Sequence, residues 1–228
     1  MKLRVRKIQD FIVQKWHFIA IFFVVLVSSF VFFQDTPAKP PKVKPSKSPE
    51  FVFEAKNKNY TAQIGASKSP RPFLSFSSKT GSNVSFQMDA NTDTSVEEKD
   101  NKITFQNVNN NFDVVYTPLA NGVKEEIIIN NQTDSSEYFF DVVTVNATPR
   151  KTLENTYSRF FYSDAGIYQF HLEKPFAVDA RGVRTDDVTM QVRQSKNELN
   201  KYQILVRVKP EWLKSKERSY PITIDPTI

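Results

Sequence analysis

From Phe51 onward, apolar and polar residues alternate with a period of two. Phe51, Phe53 and Ala55 alternate with Val52 and Glu54, and Tyr60, Ala62 and Ile64 with Thr61 and Gln63. Val84, Phe86 and Met88 are interleaved with Ser85 and Gln87, and Phe112, Val114 and Tyr116 with Asp113 and Val115. The pattern returns at Val188, Met190 and Val192 and at Tyr202, Ile204, Val206 and Val208. Successive side chains of a strand point to opposite faces, so each run predicts a strand with one buried face. Two stretches are apolar at both phases, Ile127–Ile129 and Tyr138–Val145, and these are expected to be central strands. Polar clusters such as Glu98–Asn101, Asn107–Asn111 and Asn130–Ser136 separate the runs with turn chemistry. Helix signals are sparse. The clearest is Pro210–Lys214, where proline at a first helical position suits a single turn. The prediction over 51–228 is therefore all-β: a β-sandwich, or two packed β-subdomains divided near 148–155.

The N-terminal pattern is different. Trp16–Phe33 holds no Asp, Glu, Lys or Arg over eighteen residues. As a helix it would be about 27 Å long, close to the hydrocarbon thickness of a bilayer. It is apolar all round, as a membrane span is, and not amphipathic. Lys2, Arg4, Arg6, Lys7 and Lys15 precede it, and Lys39, Lys42, Lys44 and Lys47 follow it. Lys15 beside the span and the large region downstream favour a cytoplasmic tail over 1–15 and an exported C-terminus. A signal-peptidase site at Val27-Ser28-Ser29 would cut inside the apolar run, because Phe30–Phe33 continues it. An uncleaved transmembrane anchor over 16–33 is thus favoured over a cleaved signal, which would give a secreted domain. Residues 34–50 contain Pro37, Pro40, Pro41, Pro45 and Pro49 with lysines between them. Proline disfavours helix and sheet alike, so this segment reads as an extended stalk.

Charge follows the same division. Residues 1–50 carry nine Lys and Arg against three Asp and Glu, while 51–228 carries 22 of each. The formal net charge of +6 belongs to the membrane-flanking part, and the β-region is neutral overall. That argues against nucleic acid as a partner. There is no cysteine, which removes disulfides and thiolate zinc sites.

Two stretches carry a resemblance. One is Asn107–Asn130, with Asp113 and Tyr116 in a strand, a turn at Asn121-Gly122 with Gly122 able to take positive φ, and Val123-Lys124-Glu125 opening the next strand. The other comprises KPFAVDARG (Lys174–Gly182), KPEWL (Lys209–Leu213) and YPITIDPTI (Tyr220–Ile228). Together these resemble the β-rich module in the N-terminal parts of bacterial RHS-repeat, wall-associated and DNRLRE-domain cell-surface proteins. The resemblance covers about 100–228 and, more weakly, 51–99. It implies an extracellular β-domain with no catalytic residue to carry over. In that family the IDPT segment usually leads into further domains, so a minimal stand-alone version and a truncated chain are both open.

The search for chemistry selects few residues. His171 is the single histidine outside the apolar span. It should share one strand face with Ile167 and Gln169, opposite Tyr168, Phe170 and Leu172, and no G-x-S-x-G nucleophile motif accompanies it. Glu97-Glu98, Glu125-Glu126 and Asp186-Asp187 are adjacent carboxylates. Strand neighbours point apart, which argues against a shared glycosidase-like site. Asp179, Asp186 and Asp187 flank an oxygen-rich loop of the kind calcium prefers, but Arg181 and Arg184 oppose a cation there. Tyr60, Tyr157, Phe160, Phe161, Tyr162 and Tyr168 include a candidate carbohydrate-stacking platform around Ser158–Gly166, set against a core role for the same rings. Asn59, Asn83, Asn131 and Asn146 begin glycosylation-type sequons of the kind an Asn- and Thr-rich chain produces by chance.

No catalytic, cofactor-binding or metal-binding residue is assigned, and the ligand-binding residues stay open. The expected function is a membrane-anchored extracellular structural or adhesion module. Its expected partners are membrane lipid through 16–33 and a cell-wall polymer, glycan or surface protein. Two alternatives remain: a wall or glycan hydrolase using an unrecognised carboxylate pair, and an assembly or export factor for a surface polymer.

Overall fold

The computed structural model describes residues 39–69, 71–109, 112–133, 135–151 and 157–225. The tail, the apolar span, residues 34–38 of the stalk and residues 152–156 of the proposed subdomain boundary lie outside the described residues. No helix among the described residues is long and apolar enough to cross a membrane.

Eighteen strands follow one another among the described residues. The first nine are β1 (Val43–Pro45), β2 (Phe51–Lys56), β3 (Tyr60–Ala66), β4 (Phe73–Ser78), β5 (Asn83–Gln87), β6 (Ser95–Lys99), β7 (Lys102–Val108), β8 (Phe112–Pro118) and β9 (Val123–Ile129). The rest are β10 (Glu137–Val145), β11 (Thr148–Lys151), β12 (Tyr157–Tyr162), β13 (Tyr168–His171), β14 (Phe176–Asp179), β15 (Arg184–Thr185), β16 (Val188–Gln194), β17 (Lys201–Val208) and β18 (Ile222–Asp225). Among the described residues one helical turn, α1, is present at Pro210–Leu213, with proline in its first turn as expected.

The strands form two stacked antiparallel sheets. The larger has eleven strands in the order β1-β2-β3-β4-β5-β10-β17-β16-β12-β11, with β13 paired to β12. The smaller has seven, β15-β14-β18-β9-β8-β7-β6. Between them lies one core. Tyr60, Ala62 and Ile64 of β3, Val84 and Phe86 of β5, and Tyr202, Ile204, Val206 and Val208 of β17 face Val114 and Tyr116 of β8 and Ile127 and Ile129 of β9. The period-two reading therefore identified the inward phase of β3, β5, β8 and β17 correctly, while β9 was read as apolar at both phases. Rings cross the gap: Phe112 meets Tyr138 edge-on at 5.3 Å, and the Tyr60 hydroxyl donates to the Leu119 carbonyl at 2.7 Å. Gly65, at φ +74°, lies where a strand of the larger sheet comes close to Phe105 of the smaller. A Cβ there would lie 3.2 Å from Phe105 Cζ and 3.4 Å from Val52 Cγ2.

Three expectations need correction. Both β9 and β10 are central, but β10 is buried on one face only. Tyr138, Phe140, Val142 and Thr144 point inward, whereas Phe139 and Val145 are 45% and 58% exposed. Apolar residues at both phases marked a central strand without marking a covered outer face. Second, sheet structure enters the segment read as stalk: Val43–Pro45 pairs with Phe53–Ala55 as an edge strand, where proline is tolerated. Asn101 fixes it, accepting from the Val43 amide at 2.7 Å and donating to the Pro41 carbonyl at 3.1 Å. Third, Gly122 is not among the left-handed residues. The β8–β9 connection is a four-residue loop in which the Leu119 amide donates to the Gly122 carbonyl at 2.8 Å.

Positive φ is shared: Gly65, Gly81, Gly166 and Gly182 take it, and so do one aspartate and four asparagines. Asp100 and Asn101 (φ 53° and 64°) make the two-residue turn between β6 and β7, and Asn107, Asn109 and Asn146 take φ of 60°, 51° and 48°. A chain with five glycines uses its Asn-rich clusters for the backbone geometry that glycine commonly supplies.

Candidate functional site: an outward aromatic strip on β12 and β13

The described aromatics of Ser158–Gly166 divide by face. Phe161 is fully buried and stacks on Phe170 with centroids 4.7 Å apart, and Tyr60 is also core. Phe160 and Tyr162 point outward. Strict alternation would put Tyr168 inward with Phe170, but here the sequence expectation fails. The β12–β13 register pairs Phe161 with Phe170 and Tyr162 with Tyr168, so Gln169 is one residue too many and forms a bulge. The bulge turns Tyr168 out onto the side of His171, where it is 49% exposed.

The result is a short strip two rings wide, with Phe160 and Tyr162 of β12 beside His171 and Tyr168 of β13. Phe160 stacks on His171 at 5.3 Å and 19°, His171 neighbours Tyr168 at 6.1 Å, and Tyr168 meets Tyr162 edge-on at 6.1 Å. A guanidinium sits at each end. Arg150 of β11 lies over Tyr162 at 3.7 Å, and Arg159 lies 5.9 Å from Phe160 while donating to the Leu172 carbonyl at 2.6 Å. Neither has a carboxylate within ion-pair distance among the described residues.

A hydrogen-bonded chain holds the middle of the strip. The Tyr168 hydroxyl is 2.5 Å from His171 Nδ1, and His171 Nε2 is 2.9 Å from Glu173 Oε1. The two contacts fit one tautomer, with Tyr168 donating to Nδ1 and Nε2–H donating to the carboxylate. A hydroxyl, an imidazole and a carboxylate in line invite comparison with a nucleophilic relay. The electrostatics run the other way, because burial, then Glu173, then Tyr162 push the Tyr168 hydroxyl above its ordinary value. An activated nucleophile needs the reverse shift. The chain fixes ring orientation.

Beside the strip is a cleft of about 610 Å³ between the open ends of the sheets. Its walls include Tyr168, Gln169 and Glu173 on one side and Asn59 and Asn121 on the other. Asn59 Nδ2 donates to Asn121 Oδ1 at 2.8 Å, and Gln169 is held by Ser78 and Thr80.

The other sequence candidates are placed elsewhere. Glu97 and Glu98 are exposed on edge strand β6. Glu126 is outward with Lys124 at 2.7 Å, while Glu125 is 2% exposed and sits inside the core among Phe86, Phe140, Leu172 and Met190. Burial pushes the Glu125 carboxyl up to about 8; the Tyr116 hydroxyl partly offsets this and Asp225 adds to it. It is an acid without a cleft. Asp186 pairs with Arg184 at 2.8 Å and Asp187 with Lys209 at 3.6 Å.

Asp179 is buried and accepts from the amides of Arg181 and Val183 at 3.0 and 2.9 Å and of Ser219 at 3.3 Å, with Arg218 Nη1 at 3.4 Å. Burial pushes its carboxyl up, but those amides and Arg218 outweigh burial and hold it below the usual range. Among the described residues no three His, Cys, Asp or Glu gather as a metal site. Three sequon asparagines also have local duties. Asn83 bonds Ser75 and Ser77, Asn59 bonds Asn121, and Asn146 accepts from the Asp164 amide.

The segments that carry the family resemblance converge on one scaffold. β14 pairs with β18 from Phe176–Asp225 to Asp179–Ile222, Arg218 lies over Trp212 at 4.9 Å, and Tyr220 donates to the Leu213 carbonyl at 3.2 Å. These residues close the smaller sheet against α1. No family model, curated protein or solved structure matches the chain.

One feature was missed entirely. The outer face of β5, β10 and β17 carries a trough of about 620 Å³ that includes Gln87, Asp141, Arg193 and Gln203. In sequence these are merely the polar phase of alternating strands, and no signal separates them from a solvated face.

Proposed function

We propose that this chain is a surface-displayed, non-catalytic adhesion module, held to the membrane through residues 16–33 and binding its partner through the β12–β13 aromatic strip. The observation that carries this reading is the strip itself. Phe160, Tyr162 and Tyr168 are turned outward by register and bulge, Tyr168 is locked through His171 to Glu173, and the group is set next to a cleft. Rigid amphipathic rings give contact area at little entropic cost, which suits a binding surface. A cell-wall polymer, glycan or surface protein is the partner class. The raised Tyr168 hydroxyl and the enclosed position of Glu125 favour binding over the hydrolase alternative. The resemblance of 100–228 to bacterial surface modules supports the same setting.

The test is adherence of full-length chain displayed on cells. Tyr168→Ala combined with Phe160→Ala should abolish adherence to wall material while leaving surface display intact. Undiminished adherence would remove the strip from the reading.

A further inference from the structure

We infer that Asn121-Gly122 is a self-modification site. In the folded chain the Asn121 side chain closes on the Gly122 amide, loses ammonia and opens to aspartate or isoaspartate, with Asn59 holding the reacting carbonyl oxygen. The chemistry is independent of the adhesion reading.

The sequence supplies the pair. Asn121-Gly122 is the one Asn-Gly step in an asparagine-rich chain. Gly122 has no Cβ to stand between its amide and the side chain before it. The fold supplies the setting. Leu119–Gly122 is the loop between β8 and β9, Asn121 is exposed in it, and both residues of the pair line the cleft.

The β2–β3 turn and the start of β3 grip that loop by its acceptors. The Tyr60 hydroxyl donates to the Leu119 carbonyl at 2.7 Å, Asn57 Nδ2 to the Ala120 carbonyl at 2.8 Å, and Asn59 Nδ2 to Asn121 Oδ1 at 2.8 Å. Within the loop the Leu119 amide donates to the Gly122 carbonyl. A tight turn would usually return a bond from the Gly122 amide to the Leu119 carbonyl, but here the Gly122 amide has no acceptor among the described residues. A backbone N–H in a strand ladder must give up its bond before its nitrogen can attack; this one has none to give up.

The Asn59 contact fits the reaction as well. Attack of the Gly122 nitrogen on Asn121 Cγ drives the carbonyl electrons onto Oδ1, where Asn59 already donates, as a fixed donor does for any developing oxyanion. Solvent base takes the Gly122 amide proton and the N–Cγ bond forms. The Cγ–Nδ2 bond then breaks, and the side-chain nitrogen leaves as ammonia with a proton from water. Water opens the cyclic imide at the side-chain carbonyl to give aspartate, or at the backbone carbonyl to give isoaspartate. No oxidant or reductant is needed. An aspartate product keeps the Asn59 bond and strengthens it, because a charged acceptor replaces a neutral one. It also sets a negative charge in the cleft that Glu173 lines, so the cleft becomes more acidic as the chain ages. Isoaspartate lengthens the backbone beside the Pro118–Val123 pair.

Full-length chain purified in detergent would be held at neutral and mildly alkaline pH, in ordinary and heavy-oxygen water, and followed by peptide mass spectrometry. Asn121 is expected to convert ahead of Asn57, Asn91, Asn131, Asn197 and Asn200, faster at the higher pH, with solvent oxygen in the product and both acid isomers present. Gly122→Ala should nearly stop the conversion; φ at Gly122 is not left-handed, so alanine can adopt it. Asn59→Ala should slow conversion about threefold to tenfold, the worth of one neutral hydrogen bond. An unchanged Tm confirms that both variants keep the fold.

Conversion of Asn121 in urea-unfolded chain but not in folded chain would overturn the inference, because the fold would then protect the pair. Equal conversion at the other exposed asparagines would overturn the part given to the loop. A rate that Asn59→Ala leaves unchanged or raises would overturn the part given to Asn59.

Discussion

Glu125 is the residue that pays least attention to the pattern around it. Its position in β9 is inward, between Val123 and Ile127, and the register pairs it with Tyr116. A carboxyl there is neutral in the folded state, because ionising it would strand a charge among Phe86, Phe140 and Met190. The folded chain therefore holds a proton that the unfolded chain releases near pH 4.3, and stability falls as pH rises from there toward 8. At pH 7 the loss is on the order of 3 kcal/mol. Glu125→Gln cannot ionise and should recover most of that at pH 7–8 and little at pH 4.5, read by chemical denaturation at the two values. Asp179 acts in the opposite sense. Its carboxyl is held low, so its contribution is present above about pH 3.9 and disappears as acid carries the pH down through its folded value. The sequence showed neither behaviour. Glu125-Glu126 and Asp179 read in sequence only as carboxylates in a strand and beside a loop, and only the strand phase and the loop amides separate a neutral acid from a fixed anion.

At the scale of elements, alternation was legible and its interruptions were not. Phe160 and Phe161 illustrate the legible part: adjacent, chemically identical, and on opposite faces of β12. Phe161→Ala should cost about 3–5 kcal/mol, as truncation of a packed core ring does. Phe160→Ala should stay within about 0.5 kcal/mol. Similar losses at both positions would overturn the assigned register. Tyr168 illustrates the other part. A bulge shifts phase by one residue, and Gln169 carries no composition signal that would announce it. Edge strand β1 was hidden for a related reason. Pro45 and the prolines before it argue against sheet, yet one edge of a strand pairs without using every amide, and the segment is held by Asn101, 56 residues beyond Pro45. Asn101→Gly keeps the left-handed turn but removes both bonds to the Pro41–Val43 segment. It should abolish hydrogen-exchange protection of the Val43 amide while leaving the Ile103 and Val114 amides protected. Asn101→Ala adds backbone strain at φ 64° and should lower Tm as well.

At the scale of the molecule, the sequence divides into a basic, greasy N-terminus and a charge-balanced β-body. The strip on β12 and β13 is useful only if it is displayed, and the route proposed for display is the charge-free run Trp16–Phe33 with five basic residues before it. That proposal has a direct consequence for intact cells. Protease added outside should reach the Pro- and Lys-containing segment that precedes the first strand, and should release a body that keeps its antiparallel-sheet circular dichroism. The membrane should retain a short fragment containing Trp16–Phe33 and the residues before it. The closely woven sheets resist cutting, because their amides are paired along the strands and their loops are short. A cleaved signal predicts something else: no retained fragment, and a mature N-terminus at or after Phe30 by mass spectrometry. A body that stays intact until the cells are lysed would place it inside, where a wall polymer cannot meet Tyr168, and the adhesion reading would go with it.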